Sequence, residues 1–288
     1  MHQSNLILRC GTRTLDLSEP ALMGVLNITP DSFSDGGRWI RNGTQALESL
    51  QTEATAMVDA GAQILDVGGE STRPGAAAVS LQEEMDRVLP VVEALADSCD
   101  AVVSVDSSSP ELMRAAAELG AGMLNDVRAL QREGALEAAS ELGLPVCLMH
   151  MQGSPVTMQE APAYDNAVAD VMGFLQMRAN ACEAAGISSQ KILLDPGFGF
   201  GKTLEHNLAL VRGLKQLATL GYPLLVGVSR KSMVGAITGK PVAERLAGSL
   251  ALALITLQRG ASILRVHDVV ETADMMRVYQ AVREAEAL

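Results

Sequence analysis

The chain has 288 residues, 48% hydrophobic and 19% charged, which is enough to bury the core of one large domain or two small ones. A formal charge of −12 opposes polyanion binding and so excludes nucleic acid as a general partner, and no run of roughly 18 apolar residues is present to cross a membrane. The opening MHQSNLILRC lacks the basic region and apolar stretch of a secretory leader, and Cys10, Cys99, Cys147 and Cys182 have neither CxxC nor zinc spacing, so a cytoplasmic protein with buried free thiols is expected.

Residues Leu6–Leu8 and Thr14–Leu17, joined through Gly11, predict a β-hairpin. The apolar run Leu22–Ile28 predicts a buried strand, interrupted by Asn27 and followed by the polar loop TPDSFSDGG. Ala46, Leu47, Leu50, Ala54, Met57 and Val58 make one helical stripe that Gly61 stops. The strand Gln63–Val67 carries Asp66 and runs into GGESTRPGAAAVS. Ser80 and Glu83 predict a capping box for the next helix, and Pro90 within it predicts a kink. Ala101–Val105 leads to Asp106 and the run SSSP, where Ser109 as N-cap and Pro110 open a third helix that Gly120 closes. Gly122–Leu124 ends at Asn125 and Asp126, Pro145–Met149 at His150, and Lys191–Leu194 at Asp195. Pro223–Val228 leads to Arg230 and Lys231, a helix over 243–259 follows, and Ser262–Val266 carries Arg265 and leads to His267.

Eight βα units, in a chain near the roughly 250 residues typical of a (β/α)8 barrel, predict an α/β TIM barrel as one domain over 1–288. The hairpin would plug the barrel's N-terminal end, and an open doubly wound sheet is the alternative. In a barrel the strand ends meet at one face, so the polar residues that close these strands would converge. Taken singly, Asp66 or Asp126 could cap a helix or bind loop amides, and His150 could be a satisfied core histidine. As a set, carboxylates and asparagine beside Lys231, Arg265 and His267 suit a ligand with a donor-rich heterocycle at one end and an anion at the other. Asp195 can accept two parallel N–H bonds from an amino-pyrimidinone edge. Arg265 and His267, alternating on a strand, suit a diphosphate. The stretch PGFGFGKT over 196–203 lacks the first glycine of a P-loop, so its glycines read as close backbone approach to a flat ligand. The loops over 29–37 and 68–80 are able to close over the pocket.

Six motifs in order, GVLNITPDSFSDGG, ILDVGGESTRPGA, LMHMQG, LLDPGFGFGK, VGVSRKS and RVHDV, together resemble the dihydropteroate synthase family, and the resemblance runs from Leu15 to Val278. It implies an enzyme that condenses 4-aminobenzoate with (7,8-dihydropterin-6-yl)methyl diphosphate, releasing diphosphate and giving 7,8-dihydropteroate for folate synthesis, and that belongs to the sulfonamide target class. By motif, the resemblance implies that Asp106, Asn125, Asp195 and Lys231 hold the pterin edge while Met149, Phe200 and Arg265 flank its ring. Asn27 would contact the diphosphate and its magnesium ion, with Arg265 and His267 on the diphosphate oxygens. Phe33, Thr72, Arg73, Pro74 and Ser232 would form the 4-aminobenzoate side. Asp106, Lys231, Arg265 and His267 are the expected catalytic residues. The chain departs from the family where Ser107 and Ser109 replace a common threonine and basic residue, which touches a peripheral contact. Apolar residues on more than one face of 243–259 predict a subunit interface, and the family is similarly homodimeric. A pterin-binding methyl carrier, a barrel lyase using Lys231 in a Schiff base, and a binding protein without turnover are the alternatives.

Overall fold

The computed structural model describes residues 6–28, 43–70, 79–153, 158–159 and 162–286. Strands β1 (Ile7–Cys10) and β2 (Arg13–Asp16) form an antiparallel hairpin with Ile7 opposite Asp16 and Cys10 opposite Arg13. Eight parallel strands then close a barrel in chain order: β3 (Ala21–Asn27), β4 (Ile64–Gly68), β5 (Val102–Asp106), β6 (Met123–Asp126), β7 (Val146–Met149), β8 (Ile192–Asp195), β9 (Leu224–Val226) and β10 (Ala261–Val266), which returns to β3. The crossovers are α1 (Gly43–Ala60), α2 (Leu81–Ser98), α3 (Pro110–Glu118), α4 (Ala135–Leu142), α5 (Ala167–Ala184) and α6 (Leu204–Leu217), then α7 (Ser232–Thr238) with α8 (Leu246–Leu257) after β9, and α9 (Val269–Glu286) after β10. This is the expected (β/α)8 barrel, closed rather than an open sheet.

Side chains alternate between the two faces of each strand, so each strand serves two cores. Leu22, Leu26, Leu65, Val67, Val103, Val105, Leu148, Leu194 and Leu264 point outward into the layer shared with the helices. Met23, Ile64, Val102, Met123, Cys147, Leu193, Leu225 and Ile263 point inward and pack against Leu8, Cys10, Leu15 and Leu17 of the hairpin. The hairpin therefore plugs the N-terminal end of the barrel, as expected. The inward positions two residues further along are largely polar: Asp66, Ser104, Asn125, Asp195 and Arg265. The interior thus changes from an apolar floor to a polar upper layer over one step of the strand period.

Local expectations fare unevenly. Helix α1 ends before Gly61, whose φ of +118° suits glycine. Only half of the Ser80 capping box forms: Ser80 Oγ accepts from the Glu83 amide at 3.3 Å, while the Glu83 carboxylate turns instead to Arg87. Pro90 does not break α2, because Val88, Val91, Val92 and Leu95 are buried against the barrel while Pro90 lies on the exposed side. Ser109 stands at the N-cap position of α3 but makes no capping bond. Its hydroxyl is drawn sideways, accepting from Arg132 Nη1 at 2.7 Å and donating to Glu84 Oε2 at 3.2 Å, and the Ser109 amide instead donates to Ser107 Oγ at 3.1 Å. The helix expected over 243–259 is shorter, a 3-10 turn Val242–Glu244 followed by α8. The Arg245 side chain folds back onto the carbonyls of Lys240 and Arg230 at 3.0 and 3.1 Å and separates the two. The four cysteines are buried and unbridged, and no helix among the described residues is long and apolar enough to cross a membrane.

Candidate functional site

The polar upper layer is a single hydrogen-bonded assembly. Arg265 donates from Nε to Asp66 Oδ2 at 2.6 Å and from Nη2 to Asp106 Oδ2 at 2.9 Å, so one guanidinium bridges two carboxylates. Asp66 is fully buried and is saturated: Oδ2 also accepts from Asn125 Nδ2 at 3.0 Å, and Oδ1 accepts from Ser104 Oγ at 2.6 Å. Strand register makes this possible, since Asp66 lies opposite Ser104, and Asp106 opposite both Gly68 and Asn125. Burial pushes the Asp106 carboxyl up to about 7, with Arg265 opposing and Asp66 adding to the rise. Burial also works against the Arg265 guanidinium, but Asp66 and Asp106 reverse this and hold it above its ordinary value. Two acids share one arginine, so with Asp106 ionised the group carries an excess of negative charge at the mouth, able to attract N–H donors or a developing cation.

Asp195, at the end of β8, supplies the opposite wall. One of its oxygens accepts from the Gly197 amide at 2.7 Å, and burial raises its carboxyl above the usual range, with Lys231 as the largest opposing influence. Lys231 Nζ donates to the Phe198 carbonyl and sits 4.8 Å above the centre of the Phe200 ring. Burial lowers the lysine to about 8, with Asp195 resisting and Arg265 adding. Met149 is buried at the end of β7, in register with Asp195. Asn27 is the half-buried last residue of β3, opposite Gly68, and Ser232 is exposed as the first residue of α7. Phe33, Thr72, Arg73 and Pro74, with the two loop closures expected of them, lie outside the described residues.

Other strand-end residues do not join this assembly. Asp126 binds loop amides, accepting from Arg128 N at 2.8 Å and Leu130 N at 2.7 Å, and also from Ser108 Oγ. That stabilises a turn in which Ala129 and Leu130 have φ of +52° and +57°. His150 is a satisfied buried histidine, its Nδ1 at 3.0 Å from Lys202 Nζ. Arg230, at φ +55°, is ion-paired with Asp268. The expected alternation of Arg265 and His267 along one strand is not found, because β10 ends at Val266. His267 stands exposed at the rim, with Nδ1 at 3.1 Å from Ser229 Oγ. Desolvation first, then Arg265 and Arg230, hold its imidazole below the ordinary value, so it is a neutral hydrogen-bonding group at neutral pH rather than a third cation.

The residue that motif reading undervalues is Asp66, which reads from sequence as a cap or an amide binder and sits at the centre of the network. Strand parity was the available signal: Asp66 shares the inward face with Ile64, whereas Asp126 and His150 fall out of step with Met123 and Cys147.

The chain is similar to known proteins over nearly its whole length. Residues 23–267 match the family model described as pterin binding enzyme. The chain is 54% identical over 273 residues to the dihydropteroate synthase of Escherichia coli, covering 95% of each. Among solved structures, Yersinia pestis dihydropteroate synthase in complex with a sulfonamide drug is similar at 52% identity and a TM-score of 0.91, over 96% of this chain and 99% of that one. Xanthomonas albilineans dihydropteroate synthase with 4-aminobenzoic acid is similar at 47% identity and a TM-score of 0.90, over 97% and 99%.

Proposed function

The chain belongs to the pterin-binding enzyme family and has dihydropteroate synthase activity, and on that premise we propose how its barrel mouth divides the work. The methyl-carrier, Schiff-base and non-catalytic alternatives fall away because the full-length relatives are dihydropteroate synthases. The amine nitrogen of 4-aminobenzoate forms a bond to the methylene of (7,8-dihydropterin-6-yl)methyl diphosphate. The carbon–oxygen bond breaks, its electron pair leaves with diphosphate, and the amine loses a proton. An aromatic amine is already neutral at pH 7, so no strong general base is required.

The observation that carries this reading is the bridging of Asp66 and Asp106 by Arg265, with Asn125 in the same network. Asp106, Asn125 and Asp195 meet the N–H and carbonyl groups of the pterin edge, Lys231 donates to it, and Met149 and Phe200 cover its faces. As diphosphate departs and positive charge spreads into the pterin, the excess negative charge of Asp66 and Asp106 stabilises it. Arg265, through guanidinium N–H groups not engaged by the two carboxylates, and His267, as a hydrogen-bond donor, hold the departing oxygens. Ser232 at the start of α7, with Thr72, Arg73, Pro74 and Phe33, takes the 4-aminobenzoate side. Sulfonamides compete for that side, a reading supported by the drug and 4-aminobenzoic acid complexes of the two structural relatives.

A magnesium ion is part of this proposal. Among the described residues no group of three or more His, Cys, Asp or Glu side chains could hold a metal ion; Asn27, assigned by its motif, offers one side-chain oxygen at the half-buried end of β3. One hard oxygen donor fits an ion that keeps several waters and binds mainly through substrate phosphates. When bound, the ion neutralises charge on the departing diphosphate. A homodimer through the α7–α8 region is proposed on the exposed Ile237, Val242 and Ile255, and a monomer by light scattering would remove it. A cytoplasmic location is proposed because the buried cysteines are free thiols.

The deciding experiment is diphosphate release by the purified chain as 4-aminobenzoate and magnesium are varied. Release that depends on both is expected. Release that continues at full rate without added divalent ion, in the presence of chelator, would remove the magnesium assignment.

A further inference from the structure

Lys202, the lysine of the glycine-rich stretch, has no part in the scheme above. It is 3% exposed, and its ammonium is turned to backbone carbonyls rather than toward the mouth of the barrel. A buried ammonium ordinarily rests on a carboxylate. The hydrogen-bond partners of Lys202 among the described residues are instead neutral acceptors: the carbonyls of Gly197 at 2.8 Å, Phe200 at 2.9 Å and His150 at 3.3 Å, and His150 Nδ1 at 3.0 Å. Burial and Lys202 hold the His150 imidazole neutral, at about 3, and burial lowers Lys202 itself to about 7 with Asp195 resisting; while charged, Lys202 only donates, so Nδ1 accepts. Three N–H groups meet four acceptors, and the ammonium is saturated.

These acceptors come from two adjacent strand ends, one following β7 and one following β8. A Cβ on Gly197 would lie 1.9 Å from the His150 carbonyl oxygen, and one on Gly201 would lie 2.5 Å from that of Gln152, so the two segments are in direct backbone contact. The loop is tied at further points: Tyr164 Oη donates to the Gly201 carbonyl at 2.7 Å, and the Gly199 amide donates to Asn207 Oδ1 at 2.8 Å. On the pocket side, Lys231 holds the Phe198 carbonyl. The loop is therefore clamped between two lysines, one in the site and one behind it. Its two ends carry Asp195, whose carboxylate accepts from the Gly197 amide, and Phe200, whose ring lies under Lys231.

We propose that Lys202 is a positioning residue of the pterin subsite: one ammonium gathers the carbonyls of His150, Gly197 and Phe200 and so sets the backbone that presents Asp195 and Phe200. This rests on the assignment of Asp195 and Phe200 to the pterin given above. A side chain without a donor at 202 would leave the carbonyls of His150 and Phe200 without their Lys202 partner and the Gly197 carbonyl with the Phe200 amide alone, and the loop would relax away from the ring it supports.

The test compares the full-length wild type with Lys202→Met, measuring kcat, the KM of each substrate and direct calorimetric binding of 6-hydroxymethylpterin, alongside thermal melting. In Lys202→Met the pterin dissociation constant and the KM for dihydropterin diphosphate should rise about ten- to a hundredfold, while the KM for 4-aminobenzoate changes less than about twofold. Unchanged pterin binding, or equal rises in both KM values, would overturn the proposal. If Lys202→Met does not fold, Lys202→Gln, which keeps part of the donor set, is held to the same substrate-selective outcome. Should the wild type itself fail to bind the pterin, the pocket assignment fails rather than the role of Lys202 within it.

Discussion

Arg265 Nε donates to Asp66 Oδ2 over 2.6 Å although 199 positions separate the two residues, and that contact organises the polar layer of the barrel. Because the same carboxylate also accepts from Ser104 and Asn125, Asp66→Ala would strip three donors of their partner and leave the guanidinium with Asp106 alone. Breaking a buried pair in this way costs about 3–5 kcal/mol. Urea unfolding should show a loss of that order, and Asp66→Asn, which keeps one acceptor oxygen, a smaller one. A loss below about 1 kcal/mol in the alanine variant would mean that the network does not hold the layer together.

Asp195→Asn tests the pterin contacts separately from the fold. The amide retains one acceptor but cannot accept two parallel N–H bonds, and its NH2 would oppose the donors of the ligand. Steady-state kinetics should show kcat/KM for dihydropterin diphosphate reduced about a hundredfold, equivalent to ~2.7 kcal/mol, with the KM for 4-aminobenzoate little altered.

The raised carboxyl of Asp106 sets a pH dependence with a definite sign. The protonated acid is a poorer acceptor, so the affinity for a pterin lacking diphosphate should fall as pH decreases from about 7 toward the ordinary carboxylate range. Calorimetry between these limits should show this acid limb in the wild type and a shallower one in Asp106→Asn, in which the raised Asp195 carboxyl remains. For stability the sign reverses. A carboxyl raised in the folded state favours folding below its unfolded value near 4 and loses that contribution as pH rises through about 7.

His267 makes a prediction about diphosphate. Its imidazole is held below the ordinary value in the free protein, and an anion beside it would raise that value, so binding takes up protons. Affinity for diphosphate should therefore increase as pH falls through the window between the depressed free value and the raised bound one. Titrations in two buffers of different ionisation enthalpy should report the uptake, and His267→Gln should reduce it.

The plug separates stability from chemistry. Leu15 is buried in the hairpin and packs with the inward apolar floor. Leu15→Ala should lower the unfolding free energy by about 2–5 kcal/mol through lost burial and a cavity, with both KM values unchanged. A substrate-specific change in KM would show that the floor transmits strain to the polar layer.

The fold was largely legible in the sequence. Apolar runs of strand length, helical stripes and glycine stops are consequences of local backbone periods, so eight βα units and the hairpin could be counted without knowing any contact. Where local rules failed, tertiary partners had outcompeted them: Arg132 and Glu84 took the Ser109 hydroxyl from its cap, Arg87 took Glu83 from the capping box, and barrel packing carried α2 past Pro90.

Of the site, the sequence by itself determined which residue types would stand at the mouth, because strand ends in a parallel barrel share one face and polar residues there need a reason. It also held, in strand parity, the division between Asp66 or Asn125 and Asp126 or His150. The folded barrel alone settles who pairs with whom: that Asp66 and Asp106 share Arg265, that His267 meets Ser229, and that Lys202 binds backbone carbonyls. The physical reason is that periodicity is a property of neighbouring residues, whereas hydrogen-bond partners and desolvation depend on barrel closure and register, which bring together atoms from opposite ends of the chain.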